Sequence, residues 1–239
     1  MRKATVRRFI PPQHGAWAML LLPWLAGVLV VEFVWVHVPL LVAWLTGYLA
    51  SYYALLAVKT RRPARARVQL WVYLTPTVLA GGLVLALRPE VLWYAPAYAL
   101  LLAVNAGYAA QRDDRALLNN FVSVLQSCLM VLVCATVAGA PLRDVVVAFA
   151  VVTAYLVGTV LHVKALIRER RNVRFRWASI GYHVVVLVGA FWVGVWVAAV
   201  FAALALRAFI LSGRQLRPAV IGIVEIVASA AVLAVAVWH

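Results

Sequence analysis

Apolar residues fill almost the whole chain in long runs, and only short charged or proline-marked segments separate them. A helix needs about 20 consecutive apolar residues to cross the roughly 30 Å hydrocarbon core of a bilayer. The pattern predicts nine such helices, with Pro39, Pro89 and Pro141 marking three of the tight turns. The predicted spans are residues 15–36, 38–58, 68–87, 91–110, 118–139, 143–163, 177–194, 195–211 and 218–238. The predicted fold is an all-α polytopic membrane helical bundle, with residues 1–239 as a single transmembrane domain.

The apolar stretch 177–211 has to be divided to give nine spans. As one helix it would be about 52 Å long, which is too long for a single crossing even with tilt. Trp192 and Trp196 flank Gly194, and tryptophan is enriched where a helix meets the membrane interface. We therefore predict a turn near Gly194 and two separate spans.

Composition supports the membrane assignment. Hydrophobic residues make up 67% of the chain and charged residues 12%. A soluble domain is about half apolar and about a quarter charged. The composition excludes a soluble enzyme or binding domain, and lipid is expected to surround most of the chain.

The formal charge of +15 is concentrated in five short segments: 2–8, 59–67, 111–117, 164–176 and 207–217. They hold 20 of the 22 Lys and Arg residues, and Arg88 and Arg143 are the other two. With nine spans all five segments fall on one side, which the positive-inside rule makes the cytoplasm. The N-terminus is then cytoplasmic and the C-terminus outside. We expect these segments to contact anionic membrane lipid, and no nucleic acid is expected as a partner.

Two of the basic segments share an order of residues. Val58-Lys59 and Val163-Lys164 each open a run of arginines that ends near a tryptophan, Trp71 or Trp177. A shared order indicates an internal repeat whose two matching corners face one cavity. The alternative interpretation is that both segments serve only to set the topology.

Polar residues within the spans concentrate in the half nearest the basic segments. Ionisable side chains within a membrane are costly and indicate function, so we predict a polar cavity open to the cytoplasm. The predicted binding residues are His14, Lys59, Arg62, Asn105, Asp113, Asp114, Asn119, His162, Lys164, Arg168, His183 and Glu225. No catalytic residue can be assigned, and no metal site or cofactor is expected.

Several of these residues also have a purely structural interpretation. Asp113 can be a first-turn charge of the fifth span, and His14 can be an interface residue beside Trp17. His162 and Lys164 can extend to the membrane surface. Glu225 lies too deep for that, so it needs either a structural ion pair or a wet cavity. On the outer side, we interpret Glu32, near Trp35 and His37, as an interface residue.

Three motifs resemble the YwiC-like family of bacterial integral membrane proteins. The first is Pro-Gln-His-Gly-Ala-Trp-Ala-Met-Leu-Leu-Leu-Pro at residues 12–23. The others are Asp-Arg-Ala-Leu-Leu-Asn at 114–119 and Val163-Lys164 with Ile-Arg-Glu-Arg at 167–170. The resemblance implies a multi-pass protein of the bacterial cytoplasmic (inner) membrane, and it implies no particular reaction.

A weaker resemblance is to the UbiA prenyltransferase superfamily. It implies nine helices, a cytoplasmic N-terminus and a cavity that opens sideways to lipid. The aspartate-rich magnesium motifs of that superfamily follow its second and sixth helices, where this chain has its two similar basic segments. Residues 52–67 contain no Asp or Glu, and residues 162–176 contain only Glu169. Because magnesium needs carboxylate ligands, we expect no magnesium-dependent prenyl transfer, although Lys and Arg can hold phosphate without a metal.

These observations predict a cytoplasm-facing cavity that binds an amphipathic anionic lipid, with isoprenoid lipids as one candidate class. If the protein is an enzyme, it is a divergent transferase that acts on a lipid. One alternative is a small-solute or proton-coupled transporter that uses Glu225 and His183. Another is a membrane scaffold subunit without a ligand of its own.

Overall fold

The computed structural model describes Phe9, residues 14–214 and residues 217–238. Nine α-helices occupy these residues, and no strand occurs among them, which confirms the predicted all-α class. They are α1 (His14–Val31), α2 (His37–Thr60), α3 (Arg67–Leu87), α4 (Ala95–Ala110), α5 (Leu117–Ala138), α6 (Val146–Ile167), α7 (Val173–Ala190), α8 (Val195–Leu211) and α9 (Pro218–Val237). Short 3-10 turns cover Pro63–Arg65, Pro89–Tyr94 and Leu142–Asp144.

Most of these helices have the length and composition of membrane spans. In the described part of the chain, six helical segments qualify: 37–60, 67–87, 89–110, 117–138, 146–167 and 219–238. The apolar helices at Trp17–Val31 and Val195–Leu211 are shorter, and α7 carries Arg174 and Arg176 in its first turn. The chain is a multi-pass membrane protein.

The first helix is shorter than predicted. It ends at Val31 rather than at residue 36, and Glu32 takes a left-handed backbone conformation with φ 70°. His37 holds the turn that follows, because its Nδ1 accepts from the Val34 N–H at 3.1 Å and its Nε2 donates to the Cys134 carbonyl at 3.0 Å. His37 is fully buried at this turn.

The predicted division of residues 177–211 is confirmed. Helix α7 ends at Ala190, and the Gly194 N–H donates to the Ala190 carbonyl at 3.1 Å, which closes a tight turn before α8. Trp192 and Trp196 are both highly exposed on either side of this turn. These are the positions expected of residues that lie at a membrane interface.

Helices α1, α5 and α6 form the centre of the bundle, and α3 lies at its edge. The largest buried cluster includes Ala26 of α1, Val124 and Val131 of α5, and Val152 of α6. Helix α1 lies so close to α5 at Gly27 that a Cβ there would be only 2.7 Å from the Cys134 Cβ. Small residues allow such close approach between membrane helices.

The basic segments within the described residues gather at one end of the bundle. Lys59 Nζ lies 2.7 Å from an Asp114 carboxylate oxygen, which joins segments 59–67 and 111–117. Lys164 Nζ donates to the Arg115 carbonyl at 3.2 Å. A Cβ at Gly213 would lie 3.0 Å from a terminal nitrogen of Arg176, so segments 164–176 and 207–217 also meet. Segment 2–8 lies outside the described residues.

This arrangement predicts which turns face the cytoplasm. We expect Ala64→Cys and Asn172→Cys to react with a membrane-impermeant maleimide from the cytoplasmic side, because their segments carry the cationic residues. Trp192→Cys, in the α7–α8 turn, should react from the outside. Labelling of intact cells and of inverted vesicles checks this, and the native Cys128 and Cys134 are buried. Labelling of all three variants from one side would contradict the topology.

Candidate functional site

A cavity of about 760 Å³ lies between α1, α2, α4, α5 and α6. Its apolar wall is formed by Met19, Leu20, Ala43, Trp44, Leu55, Leu56, Leu102 and Val160. Polar side chains that line it include Ser51, Tyr52, Asn105, Asn119, Asn120, Ser123 and Gln126. The charged residues among the described lining are Lys59, Asp114, Arg115 and Arg168, at the end where the basic segments meet. The cavity is therefore amphipathic, with its charged groups at one end.

A network of amide and hydroxyl groups forms the polar wall. Asn105 Nδ2 donates to Gln126 Oε1 at 2.9 Å, and Ser123 Oγ lies 3.2 Å from Asn105 Oδ1. Asn119, Ser123 and Gln126 follow one another on a single face of α5, because residues at i, i+4 and i+7 share a helix face. Asn119 Oδ1 is buried and has no partner among the described residues. It remains able to accept a hydrogen bond.

The charged end of the cavity is built on the loop between α4 and α5. Helix α4 ends with the Arg112 N–H donating to Ala109 and the Asp113 N–H donating to Tyr108, the pattern of a Schellman motif. Arg112 takes the left-handed conformation of this motif, with φ 60°, where glycine is usual. The turn brings Asp114 to Lys59 at the last turn of α2, where Nζ lies 2.7 and 2.8 Å from the two carboxylate oxygens.

Lys59 determines the ionisation of Asp114. Its hydrogen bond lowers the pKa of the Asp114 carboxyl below the usual 3.8, against burial, which raises it. The folded pKa is depressed, so the stability from this pair is fully present above the unfolded pKa. It is lost only as the pH falls through the folded pKa. At neutral pH the cavity therefore contains a carboxylate.

A second polar cluster lies deeper in the bundle, where α6, α8 and α9 meet. Arg207 Nη1 lies 2.6 Å from Glu225 Oε1, and the two side chains are only 10% and 13% exposed. Thr159 Oγ1 donates to Glu225 Oε2 at 3.0 Å, and the Tyr155 hydroxyl lies 3.2 Å from the same oxygen. A buried charge without a partner is costly, and Arg207 provides the partner that Glu225 needs.

A pair of buried histidines lies between α6 and α7. The His162 and His183 rings are 6.1 Å apart, and His183 Nδ1 donates to the Ser179 carbonyl at 2.7 Å. His183 Nε2 packs against Gly158, where a Cβ would lie 3.1 Å from it. His162 is fully buried, and neither of its ring nitrogens has a partner among the described residues. The alternative interpretation, that His162 extends to the membrane surface, is wrong, because the side chain is buried and α6 continues past it to Ile167.

The predicted binding residues are thus divided between different places. Those that line the cavity are Lys59, Asn105, Asp114, Asn119 and Arg168. Those in the deeper buried groups are His162, His183 and Glu225. Arg62 and Asp113 are exposed, and Lys164 supports the Arg115 carbonyl. His14 begins α1, but its side chain lies outside what the structure describes. The five residues that line the cavity converge on it as expected. The three deeper residues do not lie on that cavity.

Sequence reasoning did not assign Ser123, Arg115 and Arg207. The spacing of Asn119, Ser123 and Gln126 was a usable signal for the polar face of α5. By sequence Arg207 belongs to the basic segment 207–217, but it lies within α8, which ends at Leu211. The local sequence does not distinguish an arginine that forms an ion pair inside the bundle from one that only sets the membrane topology. Within the described residues, no group of three or more His, Cys, Asp or Glu could hold a metal ion.

Comparison with known proteins places these features in a family. The profile of the YwiC-like protein family matches residues 10–135, which is more than half of the chain. The chain belongs to the YwiC-like family. It is 32% identical over 232 residues to "Uncharacterized protein YwiC" of Bacillus subtilis, covering 96% of this chain and 97% of that protein.

A second relative comes from Haemophilus influenzae and is described as "Uncharacterized protein". It is 28% identical over 179 residues, covering 74% of this YwiC-like chain and 75% of the relative. No solved structure matches the chain significantly. The resemblance to the UbiA superfamily therefore stays a prediction.

The Arg207–Glu225 pair predicts a large effect of mutation on stability. Glu225→Gln should lower the free energy of unfolding by about 3–5 kcal/mol, because Arg207 would be left as an uncompensated buried charge. Thermal or denaturant unfolding in detergent measures the loss. Replacing both residues with methionine should recover most of it, because no charge remains buried.

The matched control is the exposed pair Arg143–Asp144, whose side chains are 86% and 49% exposed. Asp144→Asn should change stability by less than about 1 kcal/mol, as is usual for surface ion pairs. If Glu225→Gln were as mild as this control, Arg207 and Glu225 would not depend on one another.

Proposed function

We propose that this YwiC-like protein is a bacterial cytoplasmic membrane protein whose cavity faces the cytoplasm and binds an amphipathic lipid with an anionic head group. The observation that supports this proposal is the division of one cavity into an apolar wall and a cationic end. Both parts of such a lipid would find a matching surface. The cavity volume of about 760 Å³ lies within the range of roughly 300–1,000 Å³ typical of small-molecule sites.

The charges of the cavity favour an anionic head group. Among the described lining residues, Lys59, Arg115 and Arg168 are cationic and Asp114 is the anionic one. Cationic side chains in a concave, partly apolar site attract anions and raise their local concentration. Arg in particular contacts phosphate oxygens through two parallel hydrogen bonds.

The apolar wall favours a ligand that arrives from the membrane. Trp44 and Leu20 come from α2 and α1, Leu102 from α4 and Val160 from α6, so four helices contribute to it. Burial of an acyl or isoprenoid chain against such a wall contributes about 0.8 kcal/mol for each methylene. An isoprenoid chain is one member of this ligand class, and a transferase reaction on the bound lipid is a separate hypothesis.

A proton-coupled transporter is less well supported. It would need a polar pathway to the outer face, and the residues available there are Glu32 and His37. His37 is fully buried with both ring nitrogens in hydrogen bonds. Glu225 is paired with Arg207 in the deeper cluster and is not a lining residue of the cavity.

Lipids that copurify with the protein test the proposal. We expect Arg168→Ala to lower the retained anionic lipid about fivefold, since loss of a partly exposed charge contact costs about 1 kcal/mol. Mass spectrometry of protein extracted in native membrane patches measures the ratio of anionic to zwitterionic lipid. The ratio should fall without a change in the total amount of protein.

Arg170→Ala is the matched control, because Arg170 is an exposed arginine of the same segment and does not line the cavity. Arg88→Ala removes a cation at the opposite end of the bundle. Both should leave the lipid ratio close to that of the unchanged protein. An equal loss in all three variants would mean that only total charge matters, and the binding function would be refuted.

A further inference from the structure

We infer that the Asp114 carboxylate competes with the ligand for Lys59 and is displaced from it by a phosphate-type head group. The inference rests on the proposed function and names the head group class as a phosphate monoester or diphosphate. It assigns Asp114 a role in setting affinity and specificity. The pairing that carries it is Lys59 Nζ at 2.7 and 2.8 Å from the carboxylate oxygens.

The two partners lie at the site itself. Lys59 and Asp114 are both lining residues of the cavity, together with Arg115 and Arg168. The Asp114 carboxylate therefore makes with Lys59 the contact that a phosphate oxygen of a bound lipid would make. An anionic head group can bind to Lys59 only by displacing the Asp114 carboxylate.

The backbone of the loop is fixed while the Asp114 side chain is not enclosed. Asn119 Nδ2 donates to the Asp114 carbonyl at 2.9 Å, and Lys164 Nζ donates to the Arg115 carbonyl at 3.2 Å. The Lys59 and Asp114 side chains are 38% and 39% exposed. Rotation of one side chain towards water is thus enough to release Lys59, and the loop does not have to open.

The backbone on both sides of the pair is held in an unfavourable conformation. Arg61, two residues after Lys59, has φ 54°, and Arg112, two residues before Asp114, has φ 60°. Left-handed conformation costs a non-glycine residue roughly 1–2 kcal/mol. Both residues end a helix in the left-handed conformation that is common after a helix C-terminus, which places Lys59 at the end of α2 and Asp114 in the loop after α4.

The charge balance at this end suits a phosphate. With Asp114 in place, the described charged lining residues carry three positive charges and one negative charge. A phosphate monoester carries about −1.5 to −2 at neutral pH. A phosphate can contact Lys59 and an arginine at the same time. A ligand with a single carboxylate would only exchange the Lys59–Asp114 ion pair for another ion pair between lysine and a carboxylate. The exchange therefore favours the more highly charged head group.

The experiment uses the full chain in nanodiscs of zwitterionic lipid, titrated calorimetrically with dodecyl phosphate. Asp114→Asn should tighten binding about fivefold, because the competitor is removed while the carbonyl that accepts from Asn119 remains. Lys59→Gln should weaken binding, and in the Lys59→Gln protein the further change Asp114→Asn should have no tightening effect. That non-additivity is expected of two residues that act through one contact.

The matched control is Asp113→Asn, which makes the same change of charge at an exposed neighbour that does not line the cavity. It should leave the affinity for dodecyl phosphate unchanged. Inorganic phosphate serves as a second probe. It should bind more weakly than dodecyl phosphate if the ligand is a lipid, and equally well if the site takes free phosphate.

The outcomes separate the inference from the proposed function. If dodecyl phosphate binds and Lys59→Gln weakens it, but Asp114→Asn has no effect or weakens binding, the competitor role is overturned. Equal tightening by Asp113→Asn and Asp114→Asn overturns it as well, because total charge then explains the result. If no variant binds dodecyl phosphate, the proposed function itself fails. A thermal unfolding measurement on each variant identifies a loss of binding caused by misfolding.

Discussion

Hydrocarbon offers no hydrogen-bond partner, so each polar side chain within the bundle needs a partner in the protein or contact with a polar cavity. Two polar regions of this protein meet that requirement in different ways. Glu225 is neutralised by Arg207 and held by Thr159. Asn105 bonds to Gln126 and lies on the cavity wall. The same constraint therefore produces a closed structural cluster in one place and a polar cavity in another.

The cationic segments serve topology and the cavity at the same time. Positive charge near the ends of helices sets which side faces the cytoplasm, and this requires no particular geometry. The contacts of Lys59 with Asp114 and of Lys164 with the Arg115 carbonyl add a geometry that topology does not need. They connect the ends of α2 and α6 through the α4–α5 loop and place three cations around one cavity.

The family match and the cavity cover much of the same chain. Residues 10–135 match the YwiC-like profile, and this range contains almost all of the described lining residues. Val160 and Arg168 of the α6 region are the lining residues beyond it. The Arg207–Glu225 cluster lies entirely outside the matched range. The match to the Bacillus subtilis relative covers 96% of this chain and so includes both regions.

The sequence alone determined the nine helices of the described residues, the turn near Gly194 and the common end of those basic segments that the structure describes. These features depend on local quantities, namely the length of each apolar run and the parity of the charged loops. The sequence could not decide which side chains meet. These helices are apolar on most sides, so periodicity does not show which face of α8 turns towards α9, or which face of α6 turns towards α7. Only the tertiary structure paired Arg207 with Glu225, buried His37 and His162, and separated the deep cluster from the cavity, because those outcomes depend on how each helix is rotated about its axis.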